Sequence, residues 1–123
     1  MVELDAAVDV VRAHSAPLAV FQCTTSYPCP AQSVGLNVLA ELRARYVDAP
    51  IGFSDHSAVT TTGIAARALG AELIEVHVCF SKEQFGPDTA SSLTVNELAS
   101  LVRGVRFLDD ALAPWDAHPV PAA

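Results

Sequence analysis

Apolar residues near the start recur with a helical period. Leu4, Ala7, Val8 and Val11 fall at i, i+3, i+4 and i+7, while Glu3, Asp5, Asp9 and Arg12 take the other faces. The spacing predicts a helix that His14-Ser15-Ala16-Pro17 ends. Leu18 to Gln22 is a short, mostly apolar run, predicted as a strand, and Cys23 to Pro30, with two prolines and three hydroxyl residues in succession, reads as a loop. A second helix is predicted from Ser33 to Tyr46, with Leu36, Leu39 and Ala40 on one face and Glu41, Arg43 and Arg45 outside. After Pro50, Ile51 to Ser54 supplies the next strand, Asp55-His56-Ser57 a polar turn, and Thr60 to Leu69 an alanine-rich helix stopped by Gly70, which suits a positive-φ cap. Leu73 to Val78 is the third strand, and a long polar loop from Ser81 to Leu93 carries Gly86-Pro87-Asp88. The last helix opens on a capping box, Thr94 with Glu97, and has an apolar stripe of Leu98, Leu101, Val102, Val105 and Leu108. Pro114, Pro119 and Pro121 predict a disordered tail over 113–123, leaving one domain over 1–112.

Helix and strand alternate along the whole pattern, which predicts an α/β protein with parallel strands and right-handed crossovers. Three strands make a poor free-standing sheet because both edges stay bare, so something is expected to cover or complete them. Composition sharpens this point. The 123 residues are 51% hydrophobic and 17% charged, against a usual charged share of about 25%. An apolar excess of that kind fits strands covered on both faces, and equally a surface that a partner covers. Seven basic against fourteen acidic residues give a net charge of -7, and no basic cluster follows a phosphate backbone, which argues against nucleic-acid binding. Lys82 is the only lysine. The three cysteines, Cys23, Cys29 and Cys79, lack paired spacing, and neither a signal stretch nor an apolar run of about 20 residues is present. A reduced, cytoplasmic protein that does not enter a membrane is the expectation.

In βα folds, functional groups gather at the C-terminal ends of strands. The unusual polar residues of this chain all fall there. On the third strand Leu73, Glu75 and His77 share one side and Ile74 and Val76 the other. His56 and His77, each at a strand end, read either as two neutral imidazole ligands of a divalent metal or as two hydrogen-bonded surface histidines. Glu75 reads as a base, an outer acceptor or the partner of a neighbouring polar group. Asp55 points away from His56 on the strand, which favours support of a ligand from behind or a structural role over direct ligation. Ser54, Thr24, Thr25 and Ser26 offer hydroxyls to a ligand or simply form turns, Tyr27 offers an apolar wall with a hydroxyl, and Asp88 accepts from a ligand or caps its own turn. No nucleotide-binding, zinc-protease or nucleophile-elbow pattern occurs.

Taken together, Gln22-Cys23-Thr24-Thr25-Ser26-Tyr27-Pro28, Asn37, Gly52-Phe53-Ser54-Asp55-His56-Ser57, Leu69-Gly70-Ala71, Ile74-Glu75-Val76-His77, Gly86-Pro87-Asp88, Ser92-Leu93 and Glu97-Leu98 resemble the N-acetylneuraminate (sialic acid) synthase family. The resemblance implies a (β/α)8 barrel of which this chain is the last three βα units preceded by a helix. It implies condensation of phosphoenolpyruvate with an N-acylated amino sugar, such as N-acetylmannosamine, to a nine-carbon 2-keto sugar acid. It also implies a divalent metal, commonly Mn²⁺, held by His56 and His77. Glu75 matches the residue that handles protons or orients water, and Tyr27 lines the sugar side of the catalytic site. Thr25 and Ser54 match contacts to phosphoenolpyruvate, and Asp88 a contact to sugar hydroxyls. Val76 and Thr89 depart from the family pattern, which usually has a basic residue and a histidine there. The family's phosphate-holding lysines and its C-terminal antifreeze-like domain have no counterpart in this sequence. The expectation is therefore a chain inactive alone, completed by a complementary barrel-half polypeptide or by self-association; the alternative is a non-catalytic metal- or partner-binding remnant.

Overall fold

The structure is a computed structural model and describes residues 1–114. Helix α1 (Val2–Ala13) leads into β1 (Val20–Cys23), α2 (Val38–Arg45), β2 (Ile51–Asp55), α3 (Thr60–Ala68), β3 (Leu73–Cys79), β4 (Ser92–Thr94) and α4 (Val95–Ala111), with single 3₁₀ turns at Ala31–Ser33 and Thr89–Ser91. The four strands form one parallel sheet in the order β1-β2-β3-β4. The α/β class and the parallel strands are as the sequence predicts. The strand count is not: Ser92–Thr94 pairs with His77–Cys79 as a fourth strand inside what reads as a loop and helix cap. A three-residue strand with Leu93 as its sole apolar member is too short to show a period of two. The second helix also starts later than expected, because Gly35 at φ 73° turns the chain before Val38. Most of the tail, residues 115–123, lies outside the described residues.

Strand parity divides the sheet into two unlike faces. The outer one carries Val20, Ile51 and Phe53, buried with Leu39 and Leu42 of α2 and Ala66 of α3. Leu42, rather than the expected Ala40, completes the inward side of α2. Helices cover this face in chain order, α2 over β1 and β2, α3 over β2 and β3, and α4 beside α3 over β3 and β4. Burial of each large side chain there stabilises the fold by roughly 1.5–3 kcal/mol. The inner face has no such layer. Phe21 remains 36% exposed and Leu73 42% exposed on it, and the Phe21 ring lies so close over Gly52 that any Cβ at that position would collide with it.

Local chemistry fixes the ends of these elements. Gly70 follows α3 at φ 92°, a conformation that a side chain resists. The α4 capping box forms as predicted, with Glu97 N–H donating to Thr94 Oγ1 at 3.3 Å and Thr94 N–H donating to Glu97 Oε2 at 2.7 Å. Those bonds from Thr94 hold the Glu97 carboxyl below its ordinary pKa. At the other end Asp5 ties α1 to α2, accepting from Arg45 Nε at 2.6 Å and from the Tyr46 hydroxyl at 2.8 Å. The Arg45 bond is the chief cause of an Asp5 pKa lowered to about 2.

Candidate functional site

A constant offset of 21 residues aligns β2 with β3, pairing Gly52 with Leu73 and Ser54 with Glu75. The same offset carries His56 to His77. Their rings meet at the C-terminal rim, with centroids 5.1 Å apart and planes at 85°. His56 is 4% exposed, and its Nδ1 lies 2.8 Å from the Thr24 carbonyl oxygen. A carbonyl only accepts, so Nδ1 carries the proton and Nε2 keeps a free lone pair. The loop after β1 also closes over the backbone of His56, because the buried Cys29 donates its N–H to the His56 carbonyl at 2.8 Å. Tyr27 comes with that loop. Its ring centroid stands 4.1 Å from that of His56 and 6.0 Å from that of His77.

One row below, the Ser54 hydroxyl donates to Glu75 Oε1 at 2.7 Å. Ser54 is buried and Glu75 is exposed, so the buried partner fixes the carboxylate that faces outward from the rim. Asp55 points to the opposite side, where it accepts from the Ser57 N–H and hydroxyl, each at 2.9 Å, and from the Thr62 hydroxyl. It thereby ties the turn that follows β2 to the first turn of α3. Asp88 Oδ2 lies 3.8 Å from His77 Nδ1, beyond hydrogen-bond distance. Thr25 is exposed in the loop after β1. His56, His77, Tyr27, Glu75, Ser54 and Asp88 are thus brought to one rim, whereas Thr25 makes no side-chain hydrogen bond or ring contact with them among the described residues.

Three contributors escape a reading of the sequence. Thr24 acts through a backbone carbonyl, which leaves no side-chain signal. Ser92 is the register partner of His77 and is buried, with its hydroxyl donating to the Asp88 carbonyl at 2.7 Å. Lys82 donates to the Ser92 carbonyl and lies 3.8 Å from Glu97 Oε2, so the only lysine of the chain is engaged within its own loop. Among the described residues no group of three or more His, Cys, Asp and Glu is placed to hold a metal. The donor set at the rim is therefore two imidazoles, one with its tautomer fixed, beside a carboxylate and a phenol.

Residues 1–116 match the NeuB family. The chain belongs to that family. It is 38% identical over 103 residues to the N-acetylneuraminate-9-phosphate synthase of Homo sapiens, which covers 84% of this chain and 29% of the human protein. It is 33% identical over 113 residues to the N,N'-diacetyllegionaminic acid synthase of Campylobacter jejuni, covering 89% of this chain and 34% of that protein. The crystal structure of N-acetylneuraminic acid (sialic acid) synthetase from Leptospira borgpetersenii, in complex with citrate, superposes with a TM-score of 0.87 at 30% identity over 97% of this chain and 41% of its own. The chain spans about a third of the length of the curated relatives it matches. Family membership expected from the quoted motifs is borne out, and the NeuB relatives are sugar-acid synthases. No helix among the described residues is long and apolar enough to cross a membrane.

Proposed function

We propose that this chain supplies the metal-binding and sugar-facing rim of a sialic-acid-synthase-like site. The overall reaction is the condensation of phosphoenolpyruvate with an N-acylated amino sugar, such as N-acetylmannosamine, to a nine-carbon 2-keto sugar acid. The observation that carries this reading is the His56–His77 pair at 5.1 Å in a NeuB-family chain, with the Thr24 carbonyl leaving one imidazole Nε2 free. That donor set fits a divalent cation, Mn²⁺ foremost, whose remaining positions water and substrate oxygens take. Bound there, the cation supplies Lewis acidity to the sugar aldehyde as negative charge grows on its oxygen.

The residues of the chain have separate tasks in this reading. Glu75, held by Ser54, moves protons or orients the water that adds at carbon 2 of phosphoenolpyruvate before phosphate leaves by C–O cleavage. Tyr27 walls the sugar side of the two imidazoles and keeps bulk water from them. Asp88 accepts from sugar hydroxyls, and the exposed Thr25 with Ser54 faces the phosphoenolpyruvate side. With a net charge of -7 and its one lysine engaged, the chain by itself is the metal side of the site without a phosphate side, and it does not turn over alone.

Calorimetric titration of the chain with Mn²⁺ tests the assignment. One ion per chain is expected, with affinity reduced at least tenfold in both His56→Ala and His77→Ala. Unchanged stoichiometry and affinity in both variants would refute it.

A further inference from the structure

Thr24 holds the His56 ring through its carbonyl, and the same residue is anchored by its side chain. The Thr24 hydroxyl donates to the Ser33 carbonyl at 2.8 Å, at the end of the 3₁₀ turn Ala31–Ser33. A hydroxyl has one proton, so that bond uses its only donor and leaves its lone pairs to accept. One accepts from the Gln22 amide at 3.4 Å, and the same amide reaches the Val34 carbonyl at 3.4 Å. Gln22 lies two residues from the buried Val20, on the helix-facing side of β1. A polar amide on that side is costly unless it is bonded. Gly35 makes room for it, because a Cβ there would stand 2.5 Å from Gln22 Nε2 and φ 73° disfavours a side chain besides.

The Thr24 carbonyl is fully used as well. It accepts from the Ser26 N–H at 2.9 Å and from His56 Nδ1 at 2.8 Å, one bond for each lone pair. The peptide plane that carries it is therefore held on both sides, by the turn to Ser26 and by the hydroxyl anchor. Which ring nitrogen of a neutral histidine carries the proton is set by the partner its other nitrogen or its N–H finds, so the aim of this one carbonyl decides the state of His56. We propose that Thr24 is a positioning residue for His56. Its hydroxyl, anchored to Ser33 and braced by Gln22, aims the carbonyl that keeps the ring proton on Nδ1 and leaves Nε2 bare. Of the two tasks open to a loop hydroxyl, donating to a ligand or forming a turn, Thr24 performs the second and reaches the site through it. A carbonyl leaves no signal in a sequence, but the hydroxyl that anchors it does. The use of Nε2 as a metal ligand rests on the reading proposed above, whereas the positioning itself rests on the metal-free geometry.

Long-range ¹⁵N–¹H correlation spectra of the metal-free, ¹⁵N-labelled chain read the tautomer of each imidazole at about pH 8.5, well above an ordinary histidine pKa. His56 is assigned by the signals that vanish in His56→Ala. The parent is expected to show Nδ1 protonated and Nε2 bare. Thr24→Val, which keeps the shape of the side chain and removes the hydroxyl, is expected to move the proton partly or wholly to Nε2 and to lower Mn²⁺ affinity about tenfold by calorimetry. Thr24→Ser restores the hydroxyl and is expected to restore both. A purely structural role would lower the stability of Thr24→Val and leave the tautomer alone, and that result would overturn the proposal. So would a Thr24→Ser chain that behaves as Thr24→Val does. A parent ring protonated on Nε2 would overturn it outright, and that reading needs no variant to fold. Since the tautomer is read without metal, expected tautomers in a chain that binds no Mn²⁺ would strike the metal reading alone, and the two failures are distinguishable.

Discussion

The two faces of the sheet are made by the same strands and have opposite fates. Ile51 and Phe53 face the helices and are buried, whereas Leu73 and Phe21, on strands packed directly beside them, face inward and keep over a third of their surface exposed. All four belong to runs that the sequence reads as strands, and the presence of a covering layer separates them. The comparison teaches that the outer face holds the fold while the inner face carries the candidate site, because Glu75 and His77 share the side of Leu73.

The sharpest way to break this comparison is to truncate one apolar side chain on each face. Phe53→Ala, at 1% exposure, is expected to cost about 3–5 kcal/mol in urea unfolding. Leu73→Ala is expected to cost about 0.5 kcal/mol. Equal costs would mean that the two faces are equally packed. A loss between these two is expected at the junction between faces. Asp55→Ala removes the acceptor of the Ser57 N–H and of two hydroxyls, at about 2–3 kcal/mol in the same measurement. It should also lower Mn²⁺ affinity, since it loosens the turn that carries His56.

The smallest effect concerns α1 and is read through pH. Asp5 titrates near 2 in the folded chain, below the roughly 3.9 of a free aspartate. Its contribution to stability is therefore complete above the unfolded value and is lost as pH falls from about 4 toward 2. Asp5→Asn is expected to be modestly less stable than the parent at pH 7, and to lose less than the parent does between pH 4 and pH 2. Parallel acid profiles for the two proteins would exclude the Asp5–Arg45–Tyr46 contact as a source of acid sensitivity.

Much of this molecule is legible from local chemistry. The Thr94–Glu97 box, the glycine stop at Gly70 and the parity of β3 each follow from a few adjacent residues, and each appears in the structure. The family was legible from the string of motifs around His56, His77 and Asp88. What stayed hidden depends on register or on backbone atoms. Ser92–Thr94 becomes a strand only by pairing with β3. The hydrogen bond from Ser54 to Glu75 crosses between strands and is set by their register. The Thr24 carbonyl that fixes the His56 tautomer belongs to any residue at that position. Side-chain pattern reports faces and ends of elements; it does not report which backbone oxygen will stand beside which ring.

Asp55 and His56 are consecutive, yet one is clamped to the start of α3 and the other enters the rim. Substitutions along this chain thus fall under two different tolerances. Exposed residues such as Thr25 and Asp88 can change one at a time with little effect on folding. The place of residue 56 cannot drift independently, because the bonds of its neighbour secure the crossover between β2 and α3. Whatever side chain occupies position 56 inherits its aim from the stability of the fold.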